Sequence, residues 1–255
     1  MPRFAANLTM MFNEHPFLDR FQAASDAGFN AVEYLFPYDF PAQEIAARLE
    51  SAGLKQALFN MPAGVWANGE RGLACLEGRR DEFLGAVDDA LAYARVIETP
   101  MLHMMAGLGD PMDKGTIQRF KEALQIAADK TGEAGVGLVI EPINARDMPG
   151  YFLSNFKQAL EFVQEIDQPH MRLQFDIYHR QITHGDVITG LREMMPWIGH
   201  IQTASVPLRN EPGTGELNDK VIFEEIDRLG YAGYVGCEYR PAGRTTDGLA
   251  WLKGV

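Results

Sequence analysis

Short apolar runs alternate along the chain with longer stretches in which apolar residues return every three or four positions. The short runs predict strands at 4–8, 31–36, 56–61, 100–106, 137–143, 172–178, 198–204 and 234–239. Helical spacing is clearest over 80–97, where Phe83, Val87, Ala90, Leu91 and Ala94 form one apolar stripe. Further helices are predicted over 16–27, 41–52, 116–134, 154–166, 186–195 and 219–229. Gly28, Gly53, Gly135 and Gly230 each follow a helical run, where a residue tolerant of positive φ can close it. Strands alternating with helices predict an α/β fold, and eight such repeats a closed (β/α)8 TIM barrel. A doubly wound open sheet shares the local pattern, but no Gly-rich dinucleotide turn follows the first strand. No linker, low-complexity tract or composition shift divides the chain, so a single domain over 1–255 is expected.

Four predicted strands in the second half end in an oxygen-bearing side chain: Glu141 in GLVIEPIN, Asp176 in LQFDIYH, Gln202 in GHIQTAS and Glu238 in VGCEYRP. In a barrel of parallel strands these ends converge on one face, where chemistry is done. Strand alternation sets Glu141 on one face with Gly137 and Val139. It groups Gln174 with Asp176, Ile198 with His200 and Gln202, and Tyr234 with Gly236 and Glu238. One such acid alone reads more readily as a solvated strand end than as a ligand; four positions on successive strands are harder to read that way. Three carboxylates gathered in a buried site raise one another's pKa, and a divalent cation resolves the conflict. With an amide oxygen added, the set is all oxygen, which favours a hard ion, Mg²⁺ or Mn²⁺, over zinc.

The neighbouring polar residues divide between structural and chemical readings. His103, in PMLHMMAG, is expected to be a barrel-mouth or core histidine, and His179, just past the strand of Asp176, a substrate contact. His200 reads equally as a hydrogen-bonded structural residue and as a support for the metal set. Glu33 shares parity with Ala31 and Leu35, as a pocket carboxylate or an internal ion-pair partner. Arg209, in VPLRNEPGTGEL, would clamp an anionic substrate through its planar fork, the alternative being a solvated loop arginine. Asp147 caps a turn or touches substrate. Trp66 and Phe36 wall the site or belong to the core. The stretches 61–78 and 206–218, with clustered Gly, Pro and Asn after strands three and seven, are expected to shape the pocket.

Composition narrows the partners. Against 35 acidic residues stand 23 basic ones, a formal charge of −12, which opposes association with a phosphate backbone, and no basic stripe compensates. A small-molecule substrate is expected, and no nucleic acid. Cys75 and Cys237 give neither a disulfide framework nor zinc spacing. The N-terminal MPRFAANLTMMF lacks the marks of a secretion signal, and no run is long enough to span a membrane. The expectation is a cytoplasmic protein with no membrane partner; a homo-oligomer is left open.

The blocks FAANLTMMF, AGFNAVEYLFPYDFP, HMMAG, IEPINARDMPGYFLS, FDIYHRQ, HIQTASVPLRNEPGTGELN and GCEYRPAG, in this order, resemble the hydroxypyruvate isomerase family. The resemblance covers nearly the whole chain and is most specific at EPIN, NEPGTGE and GCEYRP. It implies a xylose-isomerase-like TIM barrel, with sugar epimerases and apurinic endonucleases as distant relatives. It places two acid/base glutamates at Glu141 and Glu238, metal positions at Glu141, Asp176, Gln202 and Glu238, and a substrate-contacting histidine at His179. Related epimerases carry histidine where this chain has Gln202. The implied reaction interconverts hydroxypyruvate and tartronate semialdehyde through an enediolate, with metal assistance and proton transfer by two glutamates. A similar family isomerises 2-oxo-tetronates, four-carbon acids, and is the alternative. An apurinic endonuclease, rich in histidine ligands and with a basic groove, and a non-catalytic sugar-acid binder stand further off.

Overall fold

The computed structural model describes residues 1–253 of the chain. Its strands are β1 (Arg3–Asn7), β2 (Ala31–Tyr34), β3 (Lys55–Asn60), β4 (Met101–His103), β5 (Gly137–Ile140), β6 (Met171–Asp176), β7 (Ile198–Thr203) and β8 (Tyr234–Cys237). They pair in sequence order, every pair parallel, and β8 closes on β1. The architecture is therefore the predicted (β/α)8 TIM barrel. Of the domain expected over 1–255, Gly254 and Val255 lie outside the described residues.

Helices α1 (Arg20–Asp26), α2 (Ala42–Ala52), α3 (Arg80–Ile97), α4 (Lys114–Glu133) and α5 (Phe156–Ile166) fall where helical spacing predicts them. So do α7 (Val187–Met194) and α8 (Asp219–Arg228). Their ends follow capping chemistry. Asp113 accepts from Thr116 N at the start of α4 and Asn155 from Lys157 N at the start of α5, while Gly53, at φ 64°, closes α2. The stripe of α3 is buried as expected, within an apolar shell between helices and strands. Among the described residues no helix is long and apolar enough to cross a membrane.

The barrel interior is graded along the strands. Ala5, Ala31 and Ala57 pack together as a small apolar layer. Two residues further along β1 and β2, Asn7 and Glu33 are buried, level with a polar layer that includes Gln174, His200 and Gln202. Such groups are tolerated inside only when hydrogen bonded. Glu33 accepts from Asn7 Nδ2 at 3.0 Å, Gln202 Nε2 at 2.7 Å and His200 Nε2 at 2.6 Å. It is thus an internal partner of His200 rather than a solvated pocket acid.

Two expectations need correction. Ile198 does not share the inward face of His200 and Gln202. The register between β6 and β7 shifts, pairing Leu173 with Ile198 but Gln174 with His200, so Gly199 is the extra residue and Ile198 joins the outer shell. A Cβ at Gly199 would crowd Arg172 and Val139. The strand predicted over 172–178 stops at Asp176, and Tyr178 instead lies in an unforeseen seven-residue helix, α6 (Ile177–Thr183).

Candidate active site

At the C-terminal ends of the strands a cavity of about 300 Å³ is lined by Asn60, His103, Glu141, Gln174, His179, Gln202, Arg209 and Glu238, among others. Residues from β3 to β8 and the loops after them thus share one space, as convergence at this barrel face requires. A larger cavity, about 880 Å³, opens at the opposite face around Lys55, Met101 and Tyr234, near the strand starts, and holds none of the candidate carboxylates.

Asp176 ends β6 and starts α6. Its Oδ1 accepts from Tyr178 N at 2.7 Å and His179 N at 3.4 Å, the bonds of a helix N-cap, while Oδ2 has no hydrogen-bond partner. Glu141 lies just past β5, kept extended by Pro142, and its Oε1 is likewise without a partner. Two buried carboxylate oxygens left in this way are unusual in a folded protein and call for a cation or ligand. Ligand atoms of Glu141, Asp176 and His179 lie within 4.8 Å of one another, a group able to hold a divalent ion.

Glu238, just past β8, is buried and receives Arg209 Nη2 at 2.9 Å. Arg209 is 8% exposed, so the solvated alternative is set aside. Its Nη1 reaches Asp147 Oδ2 at 3.2 Å, its Nη2 stands 3.7 Å from Asp176 Oδ2, and its guanidinium lies over the Tyr178 ring. Asp147 also accepts from Tyr178 OH at 3.2 Å. The Arg209 backbone is left-handed, φ 59°, a conformation that costs free energy and concentrates at functional positions. Hydrogen bonds from Arg209 N to Ser205 O and from Arg240 N to Arg209 O hold it there.

Burial dominates the electrostatics. It lifts Glu141 well above the ordinary carboxylate range, reinforced by the charges of Glu238 and Asp176. It pushes Glu238 up to about 8 and Asp176 to about 6, with Arg209 acting in the opposite direction on both. His179 is driven well below the ordinary histidine value, by burial first and Arg209 second. Burial also lowers His103 to about 3, so both imidazoles are neutral at pH 7.

The Asn144 contact favours one His179 tautomer. Asn144 Oδ1 accepts from Asp147 N at 2.9 Å, so the Asn144 amide nitrogen faces His179 Nδ1, at 2.6 Å. In the tautomer that Asn144 favours, Nδ1 is an acceptor and Nε2, which also has the donor Arg209 Nη2 at 3.5 Å, carries the proton. That N–H points toward Asp176 Oδ2 (3.6 Å) and Glu141 Oε1 (3.9 Å). A ring nitrogen bearing hydrogen donates rather than ligates, so this arrangement favours a hydrogen-bonding role for His179 over that of third metal ligand.

The six predicted site residues Glu141, Asp176, His179, Gln202, Arg209 and Glu238 are all buried at this end of the barrel. Gln202 is the most committed elsewhere: its Nε2 donates to Glu33, and its Oε1 accepts from Gln174 Nε2 at 2.7 Å. Trp66 lines the cavity, whereas Phe36 touches Trp66, ring centroids 5.2 Å apart, and lines a neighbouring groove. The sequence groups Gln174 with Asp176 by parity but gives it no role, and Asn60 is not singled out there. Asn60, at 3.2 Å from His103 Nδ1, ends β3 as the acids end their strands. Arg71, on the cavity wall within 61–78, carried no periodic signal.

Comparison with known proteins agrees with this geometry. Residues 21–255 match the family described as xylose isomerase-like TIM barrel. The chain is 52% identical to the 2-oxo-tetronate isomerase of Cupriavidus necator, over 99% of this chain and 98% of that protein. To the hydroxypyruvate isomerase of Escherichia coli it is 40% identical, over 99% and 98%. A crystal structure described as an AP endonuclease, family 2, from Brucella melitensis superposes with a TM-score of 0.97 at 47% identity, covering 100% of this chain and 99% of that one. The chain belongs to the xylose-isomerase-like TIM-barrel family.

Proposed function

We propose that this chain is an isomerase of a short 2-oxo sugar acid, and that the acid has four carbons. Relatives from Cupriavidus necator, Pectobacterium atrosepticum and Haemophilus influenzae, at 52%, 46% and 42% identity, are all named 2-oxo-tetronate isomerase. The hydroxypyruvate isomerase of Escherichia coli stands at 40%. The three-carbon substrate thus becomes the second reading, and the four-carbon alternative the first. The name of the Brucella melitensis structure suggests action on DNA, but a charge of −12 and a cavity of about 300 Å³ favour a small acid.

The observation that carries the proposal is the buried cluster of Glu141, Asp176 and Glu238, in which one oxygen of Glu141, on the cavity wall, and one of Asp176, beneath it, have no hydrogen-bond partner. Those two oxygens fit a hard divalent ion, with Glu238 and the Gln202 amide beside them. When bound, the ion would polarise the carbonyl and hydroxyl oxygens of the substrate and so ease removal of the proton between them.

The protein's own groups do the rest. Glu141 and Glu238, just past β5 and β8 and three strands apart in the barrel, line one cavity and would flank a substrate placed between them. One takes the proton from carbon 3 and the other delivers one to carbon 2, while the hydroxyl proton passes from the oxygen on carbon 3 to that on carbon 2, exchanging the positions of carbonyl and hydroxyl. A carboxylate within reach of each carbon can carry that proton. Arg209 holds Glu238 in place through the 2.9 Å bond and balances its charge. His179 presents Nε2–H to an oxygen of the reacting pair.

A proton NMR time course tests the reading. With Mg²⁺ or Mn²⁺ present, the protein should convert a 2-oxo-tetronate to its isomer with a kcat/KM at least about tenfold above that for hydroxypyruvate, the size of discrimination one added polar carbon commonly allows. Turnover should stop on chelation. Conversion of hydroxypyruvate alone would restore the three-carbon reading, and no proton shift in either acid would reject the isomerase.

A further inference from the structure

An acid substrate needs a cation, and three arginines line the cavity: Arg71, Arg209 and Arg240. The sequence favours Arg209, but its three nitrogens already face protein oxygens. Nε approaches Glu238 O at 3.4 Å, Nη1 Asp147 and Nη2 Glu238. Arg240 is exposed, and among the described residues nothing orients its guanidinium. Arg71 differs from both. Its Nη1 donates to Trp66 O at 3.1 Å and Glu70 O at 2.7 Å, and its guanidinium lies 3.9 Å from the centre of the Trp66 ring. Among the described residues it makes no ion pair, and its Nε and Nη2 have no acceptor.

The segment that carries Arg71 is fixed on both sides. Glu70 pairs with Arg79 at 2.7 Å and accepts from Val65 N at 2.6 Å. Gly72 donates to Ala63 O at 2.9 Å and bridges to Ala106 beyond β4, at φ 117°, where a Cβ would collide with the Met105 carbonyl. Arg71 is therefore an arginine with one nitrogen anchored, its face stacked, and its other edge, the Nε/Nη2 fork, unspent beside a cavity rich in carboxylates. That edge matches the two oxygens of a carboxylate. Holding it in advance saves the ordering cost of binding.

We propose that the Nε/Nη2 edge of Arg71 binds the carboxylate of the substrate acid, and that this pairing selects an acid over a neutral sugar of equal length. The inference rests on the reading of the cavity as a short-acid site and adds the residue that recognises the acid. Arg209 then serves as an internal counter-charge for Glu238 and Asp147.

Threonate, a four-carbon acid without a keto group, and erythrulose, a neutral four-carbon ketose, separate the two roles in a ligand-observed NMR titration of the Mg²⁺-supplied protein. Arg71→Ala should weaken threonate by about tenfold to a hundredfold, the range for a charge-assisted pair, while erythrulose stays within about twofold. Arg71→Lys, which keeps the charge but not the fork, should fall between. Unchanged threonate affinity in both variants would overturn the proposal. Equal losses for acid and ketose would overturn it too, assigning Arg71 to the shape of the loop. Binding is read without turnover, so failure of the isomerase reading would show separately in the time course above.

Discussion

Asp176 divides its two oxygens between folding and chemistry. Oδ1 caps α6 and Oδ2 has no hydrogen-bond partner, so one substitution can separate the tasks. Asparagine keeps an oxygen for the cap and removes the charge. Asp176→Asn should hold its melting temperature near that of the parent, since a lost cap, the change it avoids, costs about 1 kcal/mol. Its affinity for Mn²⁺, followed by electron paramagnetic resonance, should fall by about tenfold or more, at least the loss seen when even an outer-sphere partner is removed. Unchanged Mn²⁺ affinity would take Asp176 out of the metal set. Arg209 shows the limit of residue-level reading: its planar fork marked it as chemical from the sequence, but only the fold shows which oxygens have already claimed it.

Elements were legible where periodicity is long and faces are unambiguous. The eight strands and seven of the helices follow from alternation of short apolar runs with helical stripes, because a buried parallel strand and a barrel helix differ strongly in period. The features missed are too short to carry a period. Helix α6 spans seven residues, and its first apolar pair, Ile177 and Tyr178, continues the pattern of β6. The bulge at Gly199 moves Ile198 to the other face with a single residue. The segment 61–78, which carries Arg71, has no period; its order comes from Gly72 and from the Glu70–Arg79 pair. Gly72→Ala should accordingly cost about 1–3 kcal/mol, since the new methyl meets rigid backbone at a φ that L-residues avoid. Urea unfolding checks this, and a cost below a few tenths of a kcal/mol would show that the loop is not pinned there.

At the scale of the whole molecule, barrel closure leaves no strand edge and fixes which end of the chain's strands meets substrate. The candidate site was legible to the extent that it sits on strand ends. Glu141, Asp176, Gln202 and Glu238 stood out because polar side chains interrupt apolar runs at equivalent places. The hydrogen-bond commitments that separate Gln202, held between Gln174 and Glu33, from the two carboxylates with unpartnered oxygens arise only on folding. Nor does the barrel by itself name a reaction. A 3-keto-D-glucoside 4-epimerase from Escherichia coli shares the fold with a TM-score of 0.82 at 21% identity, and activity has to be argued from the site.

The central claim is that Glu141 and Glu238 serve different carbons of one acid, and deuterium incorporation measures this directly. Glu141→Gln and Glu238→Gln, incubated with Mg²⁺ and a 2-oxo-tetronate in heavy water, should each form no isomer, because an amide cannot relay the proton. Mass spectrometry of the recovered acid, run from both reaction directions, should find one variant exchanging only the 2-oxo acid and the other only its isomer, each at the carbon its remaining glutamate serves. Isomerisation by both variants at near the parental rate, with metal bound, would contradict the two-glutamate account.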